Sequence, residues 1–292
     1  MTKTPEQWLE EVSPQERTKG ILKLFLGYAP GVGKTYGMLS EAIRRRSRGE
    51  DVVIGVVETH GRKGIQELAP QLEQVPRKKI EYKGTIFEEM DTDAILVRNP
   101  RVILVDELAH TNIPGSKHRK RYEDVLELVE AKMEVLSTVN IQHLESIAPT
   151  VSAITGIKIR ETVPDWVLEH ANEIVMVDLT PEALQNRMRR GEVYHTGKVD
   201  QALKNFDALE QSGFARLADD TIENFTRSGQ PVGVLRALGF QDGPDCFHGK
   251  AHVRCPDCVP ELCPALAGVG RVGIARTAGV ADGEAAIAAA SV

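Results

Sequence analysis

A glycine-rich segment from Gly27 to Thr35, with the sequence GYAPGVGKT, constrains the fold of this chain more than any other feature. It follows an apolar run at residues 20–27 and precedes an amphipathic stretch at residues 36–48. A short apolar run that ends at glycine is typical of a buried strand, and the spacing after the segment is typical of a helix. The sequence therefore predicts a strand, a tight loop and a helix in direct succession.

This arrangement predicts a phosphate-binding loop of the P-loop type. Gly31 and Gly33 let the backbone approach phosphate oxygens, and the helix that begins at Lys34 adds its N–H groups and dipole. The Lys34 amine is expected to reach the β- and γ-phosphates, and the Thr35 hydroxyl to ligate Mg²⁺. The nucleotide is thus expected on six residues of the segment: Gly27, Gly31, Val32, Gly33, Lys34 and Thr35. The usual P-loop pattern has glycine where this chain has Tyr28. In this chain the glycine stands one position earlier, at Gly27.

A second apolar run, VILV at residues 102–105, ends in Asp106 and Glu107. A buried strand that ends in two acids is the Walker B arrangement, in which Asp106 holds Mg²⁺ through water. Glu107 is a candidate catalytic residue that orients or deprotonates an attacking water. A solvated acidic turn is the alternative interpretation. The P-loop upstream favours the metal role for Asp106 and leaves the role of Glu107 open.

Polar residues also follow the next predicted strand. Asn140, Gln142 and His143 are candidates for sensing the γ-phosphate, with a helix cap after the strand as an equally supported alternative. The basic run from Lys117 to Arg121 could clamp an anion, but a solvated loop that opens a helix is the favoured interpretation.

The rest of the first 190 residues alternates apolar runs with amphipathic stretches. Strands are predicted at 51–58, 80–82, 101–106, 135–139 and 174–179, and helices at 119–132 and 181–190. This alternation predicts an α/β fold of the P-loop NTPase type, with a mostly parallel sheet covered by helices on both faces.

Four segments follow from these patterns. Residues 1–19 are expected to form an N-terminal extension, 20–190 the nucleotide-binding domain, 191–239 a helical extension, and 240–292 a poorly ordered tail rich in Cys and Ala. All four cysteines lie in that tail. A Cys-x2-Cys pair there leaves zinc binding open, although the spacing of the remaining cysteines does not favour it.

Charge and hydropathy exclude several classes of protein. The net charge of −6 disfavours nucleic acid as a partner. No run reaches about 18 consecutive apolar residues, so no membrane span is predicted. The N-terminus is polar and contains acids, unlike a signal or transit peptide, which makes a cytoplasmic location the expectation.

The motifs GYAPGVGKTYGML, VVETHGRKG, ILVDELAHTNIPGSKHRKRYEDV, STVNIQHLES and IRETVPD occur in this order between residues 27 and 165. Together they resemble the N-terminal cytoplasmic domain of the KdpD family, the potassium-responsive sensor histidine kinases of two-component systems. The resemblance runs from about Gly20 to Leu238.

The resemblance implies an ATP-binding regulatory domain that modulates phosphorelay signalling, with ATP and Mg²⁺ as ligands. Its partners would be the other domains of the sensor kinase and its response regulator. Full-length family members are anchored in the inner membrane, and their transmembrane and kinase segments do not appear in these 292 residues. We therefore expect at most weak ATPase activity. A stand-alone P-loop small-molecule kinase or transferase is the alternative, and a scaffold that uses the nucleotide only structurally is a third.

Overall fold

The computed structural model describes residues 20–193, 199–214, 216, 220–221 and 233–238. The predicted N-terminal extension and the tail at 240–292, with its cysteines, lie outside these residues.

Strands and helices alternate through most of the described chain, as the sequence predicts. The strands are β1 (Ile21–Gly27), β2 (Val52–Val56), β3 (Glu73–Gln74), β4 (Lys78–Tyr82), β5 (Thr85–Glu89), β6 (Val102–Val105), β7 (Glu134–Asn140), β8 (Glu173–Asp178) and β9 (Gly233–Leu238). The helices are α1 (Lys34–Ser47), α2 (Lys63–Leu68), α3 (Thr92–Arg98), α4 (Arg121–Glu130), α5 (Ala148–Thr155), α6 (Trp166–Glu169), α7 (Pro181–Arg189) and α8 (Val199–Gln211). No helix in these ranges is long and apolar enough to cross a membrane.

The main sheet has seven strands in the order β3-β2-β6-β7-β1-β8-β9, and each neighbouring pair is parallel. The predicted fold class, an α/β P-loop NTPase-like domain, is confirmed. Strand β1 lies inside the sheet and is buried on both faces, with Lys23 as its one charged residue, paired with Glu41 and Glu173. Leu22, Leu24 and Leu26 belong to one core cluster, while Phe25 belongs to the cluster on the opposite face. Burial of both faces explains why this strand is apolar at nearly every position.

One predicted strand lies outside this sheet. Residues 80–82 belong to β4, which pairs antiparallel with β5 in a separate two-stranded hairpin. The sequence of β4, KKIEY, buries only Ile80. Such a polar segment cannot lie in the middle of a sheet that helices cover on both faces.

The segment at 191–239 also differs from the prediction of a purely helical extension. Helix α8 is present, but β9 follows it and pairs in parallel with β8 along its whole length. The sequence GVLRAL of β9 is short, and its strand character depends on pairing with β8, which periodicity does not reveal.

The strand order positions the candidate site. Strand β7 lies between β1 and β6, so the carboxyl ends of the three strands are neighbours along one edge of the sheet. Gly27 at the end of β1 is level with Asn140 at the end of β7. Ligands of open parallel sheets bind at such an edge.

Candidate functional site

The glycine-rich loop joins the end of β1 to the first turn of α1. Gly31 and Gly33 have φ angles of +89° and +104°, a backbone conformation that favours glycine. Gly33 is the N-cap of α1 and supplies no side-chain hydrogen bond to the helix. The first N–H groups of a helix have no intrahelical acceptor, so this turn presents donors to a ligand.

Tyr28 occupies the position where the usual P-loop pattern has glycine, and its packing explains the substitution. Its ring lies 5.5 Å from the ring of Phe214 and 6.4 Å from that of Phe206 in α8, measured between centroids. Gly27 is the residue that needs no side chain, because a Cβ there would lie 2.6 Å from Cδ of Lys34. The shifted glycine therefore makes room for the lysine stem.

Replacement of Gly31 by alanine is expected to destabilise the fold more than replacement of Gly49. Both glycines have φ of +89°, so both variants carry the left-handed backbone cost of about 1–2 kcal/mol. A Cβ at Gly31 would also lie 2.5 Å from a methyl of Val193, whereas a Cβ at Gly49 meets nothing within 4 Å. Urea unfolding of the two variants measures the difference, and equal losses would contradict the contact with Val193.

Lys34 is held over the loop by two oxygen acceptors. Its Nζ donates to the backbone oxygen of Ala29 at 3.2 Å and to the side-chain oxygen of Asn140. The side chain is buried, and this burial lowers the pKa of Lys34 to about 7, against the opposing charge of Asp106. A new anion beside Nζ would favour the charged amine.

Thr35 and Asp106 lie opposite each other, as the sequence predicts. The Thr35 hydroxyl is 3.2 and 3.3 Å from the two carboxylate oxygens of Asp106. Asp106 is buried and also accepts hydrogen bonds from the hydroxyl of Thr138, at 2.5 Å, and from the backbone N–H of Glu58. Burial raises the pKa of Asp106 despite these bonds. A hydroxyl and a carboxylate at this distance are oxygen donors of the kind Mg²⁺ prefers.

Glu107 lies one residue beyond Asp106, with a partner that sequence reasoning missed. His60, in the segment after β2, is 2.8 Å from the Glu107 carboxylate through its Nε2. This hydrogen bond lowers the pKa of Glu107 and raises the pKa of His60. The φ angles of both residues are positive, at +57° for Glu107 and +46° for His60. Non-glycine residues in this region are uncommon and concentrate at functional sites.

The three polar candidates are Asn140, the last residue of β7, and Gln142 and His143 after it, and all line the same cavity as the loop. Of these, Asn140 contacts Lys34 directly. His143 instead donates from Nδ1 to the backbone oxygen of Glu161, 2.7 Å away, and burial lowers the pKa of His143. Because a backbone oxygen only accepts, Nδ1 carries the proton. Gln142 lies at the wall of the cavity, and its predicted nucleotide contact stays a prediction.

The basic run after residue 116 forms internal contacts. Lys117 bridges Asp93 and Glu127 at 2.8 and 2.7 Å. Arg121 is buried, donates to the backbone oxygen of Asp106 at 3.0 Å and lies 3.3 Å from the carboxylate of buried Glu89. Arg121, the last residue of the run, thus holds the backbone at the end of β6 in place.

The glycine-rich loop, the acidic end of β6 and the polar residues at the end of β7 line one open cavity of about 1420 Å³ along the carboxyl edge of the sheet. Gly27 and Val32, both predicted to bind the nucleotide, are buried below it and do not line it. The remaining predicted residues that line the cavity are Gly31, Gly33, Lys34, Thr35, Asp106, Glu107 and Gln142.

The parallel sheet, the loop after β1 and the acidic end of β6 define this class of protein as P-loop NTPase-like. Residues 18–217 match the family model described as KdpD, osmosensitive K⁺ channel His kinase sensor domain. The chain therefore belongs to the KdpD sensor-domain family, as its motifs predicted.

Curated relatives agree with this assignment. The chain is 51% identical over 222 residues to sensor protein KdpD of Mycobacterium tuberculosis, covering 74% of this chain and 26% of that protein. It is 46% identical over 221 residues to sensor protein KdpD of Escherichia coli, covering 74% and 24%. A putative sensor protein KdpD of Synechocystis sp. is 49% identical over 218 residues, covering 73% and 59%. The chain thus spans about a quarter of the length of the first two relatives.

Proposed function

We propose that this domain binds ATP with Mg²⁺ at the loop from Gly27 to Thr35. The convergence of Lys34, Thr35, Asp106 and Asn140 at the ends of three neighbouring strands is the observation that carries the proposal. The amine provides a buried cation for the terminal phosphates, and the first turn of α1 provides backbone donors. Each of these groups matches one part of a nucleoside triphosphate.

The metal would be shared between protein and nucleotide. Within the described ranges no group of three or more His, Cys, Asp and Glu side chains is placed to hold a metal ion alone. Mg²⁺ is commonly held by one or two protein oxygens together with phosphate oxygens and water. Thr35 and Asp106 would hold the ion in this mode, and the ion would supply electrostatic stabilisation of phosphate charge.

Glu107 is the proposed water-orienting residue. Its hydrogen bond to His60 favours the ionised carboxylate, which can accept a proton or a water hydrogen bond. To orient the attacking water, the Glu107 carboxylate needs only to accept a hydrogen bond from it. We expect slow hydrolysis of ATP as the result.

The nucleotide state would then regulate the longer sensor protein. We propose that ATP on this domain modulates phosphorelay signalling through the other domains of a sensor kinase and its response regulator. The family membership supports this role, because the curated relatives are sensor proteins. The regulatory function would be supported if ATP changes the affinity of this domain for the other kinase domains and if ATP is hydrolysed slowly.

A small-molecule kinase or transferase is the second candidate. The cavity extends past Glu107 to His110, His143 and Glu161, which leaves room for an acceptor molecule. Ligand pockets commonly occupy about 300–1,000 Å³, less than this cavity. Rapid ATP consumption that depends on an added acceptor would favour this candidate over the regulatory role.

Asp106 and Glu107 are expected to have separate roles. The Asp106→Asn variant should lose most Mg²⁺-dependent ATP binding, since a charged ligand of the metal's water shell is removed. The Glu107→Gln variant should keep ATP affinity within a few-fold and lose hydrolysis, because its carboxylate contacts the attacking water. Affinity and turnover are measured on both variants. Loss of binding in Glu107→Gln with binding retained in Asp106→Asn would move the metal role to Glu107.

A further inference from the structure

Helix α7 presents one face to the cavity beside the glycine-rich loop. Ala183, Asn186, Arg187 and Arg190 all line the cavity, and their spacing of three and four residues places them on one side of the helix. The neighbouring face carries Leu184 and Met188, which are buried in the core. The cavity face therefore has a fixed position, because the adjacent face of α7 is packed in the core.

Apolar side chains connect this face to the loop. Leu179, just before α7, and Val193, just after it, both line the cavity and pack against the core cluster that includes Ala29 and Val32. The closeness of Val193 to Gly31 shows that this part of the cavity begins directly at the loop. A ligand on the loop would extend into it without a gap.

The strand order gives the direction in which such a ligand runs. Asp106, Glu107 and Asn140 follow β6 and β7, on one side of β1, whereas α7 follows β8 on the other side. If the terminal phosphate of ATP lies beside Lys34 and Glu107, the triphosphate chain points from β1 toward β7. The nucleoside then falls on the β8 side, along α7.

The chemistry of this face fits a nucleobase. Arg187 is held by Glu192, with Nε 3.1 Å from the carboxylate, and its side chain is 30% exposed. A guanidinium fixed in this way can stack on an aromatic ring, and Ala183 leaves room for the ring. The Asn186 side chain is exposed, and its Oδ1 accepts a hydrogen bond from Arg189 at 3.2 Å. Its amide N–H groups and the second lone pair of Oδ1 can serve base edges.

We infer that the cavity face of α7 is the nucleoside subsite of this domain, with Ala183 at its floor and Arg187 against the base. The inference rests on the proposed function, because it assigns the part of the nucleotide that the loop does not hold. It predicts that contacts on α7 distinguish ATP from a bare phosphate chain.

The test compares Mg²⁺-ATP with Mg²⁺-tripolyphosphate, each titrated calorimetrically into the full chain. In the Ala183→Phe variant the new ring fills the subsite, so ATP affinity should fall at least about tenfold. Tripolyphosphate affinity should stay within twofold, because that ligand needs only the loop. Glu182→Phe is the matched control, since it places the same ring on α7 at an exposed position that does not line the cavity.

Asn186→Ala is a second variant that decides the question if Ala183→Phe does not fold. Alanine favours helix, and loss of one hydrogen bond should weaken ATP about threefold without changing tripolyphosphate. The inference would be overturned if the Ala183→Phe and Asn186→Ala variants keep the ATP affinity of the unsubstituted chain, or if they lose affinity equally for ATP and tripolyphosphate. It would also be overturned if Glu182→Phe weakens ATP binding as much as Ala183→Phe. Failure of both ligands to bind the unsubstituted chain would instead overturn the proposed nucleotide function.

Discussion

Replacement of Lys34 by alanine is expected to weaken ATP binding by at least about tenfold. The Lys34 amine is buried and already fixed by Ala29 and Asn140, so little ordering is needed when phosphate binds. A charge-assisted contact is stronger than a neutral one, and each tenfold in affinity corresponds to about 1.4 kcal/mol. Calorimetric titration with a non-hydrolysable ATP analogue in Mg²⁺ measures the change.

Lys63→Ala is the matched control for this prediction. Lys63 lines the same cavity, but its side chain is 91% exposed and its nearest carboxylate, Glu67, is 3.9 Å away. An exposed lysine contributes little to binding, so ATP affinity should change by no more than about twofold. Equal affinities for the two variants would show that the phosphates do not lie at Lys34.

The Arg121→Met variant is expected to lower the free energy of unfolding by about 3–5 kcal/mol. Arg121 and Glu89 are both almost fully buried and lie 3.3 Å apart. Removal of the guanidinium leaves the Glu89 carboxylate with His110 and the backbone N–H of Ile113. It also leaves the backbone oxygen of Asp106 without its hydrogen bond from Arg121. Urea unfolding followed by circular dichroism measures the loss.

The Arg119→Met variant is the control for removing any cation from the basic run Lys117 to Arg121. The Arg119 side chain is exposed, so its replacement should change the unfolding free energy by less than about 0.5 kcal/mol. The double variant Arg121→Met with Glu89→Leu should recover part of the stability, because no buried charge is then left unpaired. A loss in Arg121→Met no larger than that in Arg119→Met would contradict this account.

The sequence predicted the sheet and the loop well because both depend on local patterns. Strand β6 is apolar throughout and β1 at all positions but Lys23, and both are buried on both faces, so the pattern records that burial directly. The pairing of Thr35 with Asp106 followed from two motifs that meet at the carboxyl edge of a parallel sheet. The family resemblance also rested on contiguous motifs, and the family model confirms it.

Contacts between distant segments were not predictable in the same way. The hydrogen bond between His60 and Glu107 joins residues 47 positions apart, and no periodicity relates them. The signal available was the polar segment THGRKG, which follows β2 at the same edge of the sheet. Tyr28 is a similar case, because its fit depends on Phe206 and Phe214 far along the chain.

The side chains of α7 that face the cavity also escaped sequence reasoning. Their i, i+3, i+4 and i+7 spacing is visible, but a polar helix face is solvated in most proteins. Only the position of α7 next to the loop shows that this face lines a cavity. Likewise, β9 could be recognised only from its pairing with β8.

Titration of the full chain with a fluorescent ATP analogue, with Mg²⁺ and then with excess chelator, tests the central claim most directly. We predict saturable binding of one nucleotide per chain in Mg²⁺ and binding weakened at least about tenfold in chelator, because Thr35 and Asp106 act through the metal. Unlabelled ATP should displace the analogue. Absence of saturable binding, or equal affinity with and without Mg²⁺, would contradict the proposal that this edge of the sheet is a Mg²⁺-ATP site.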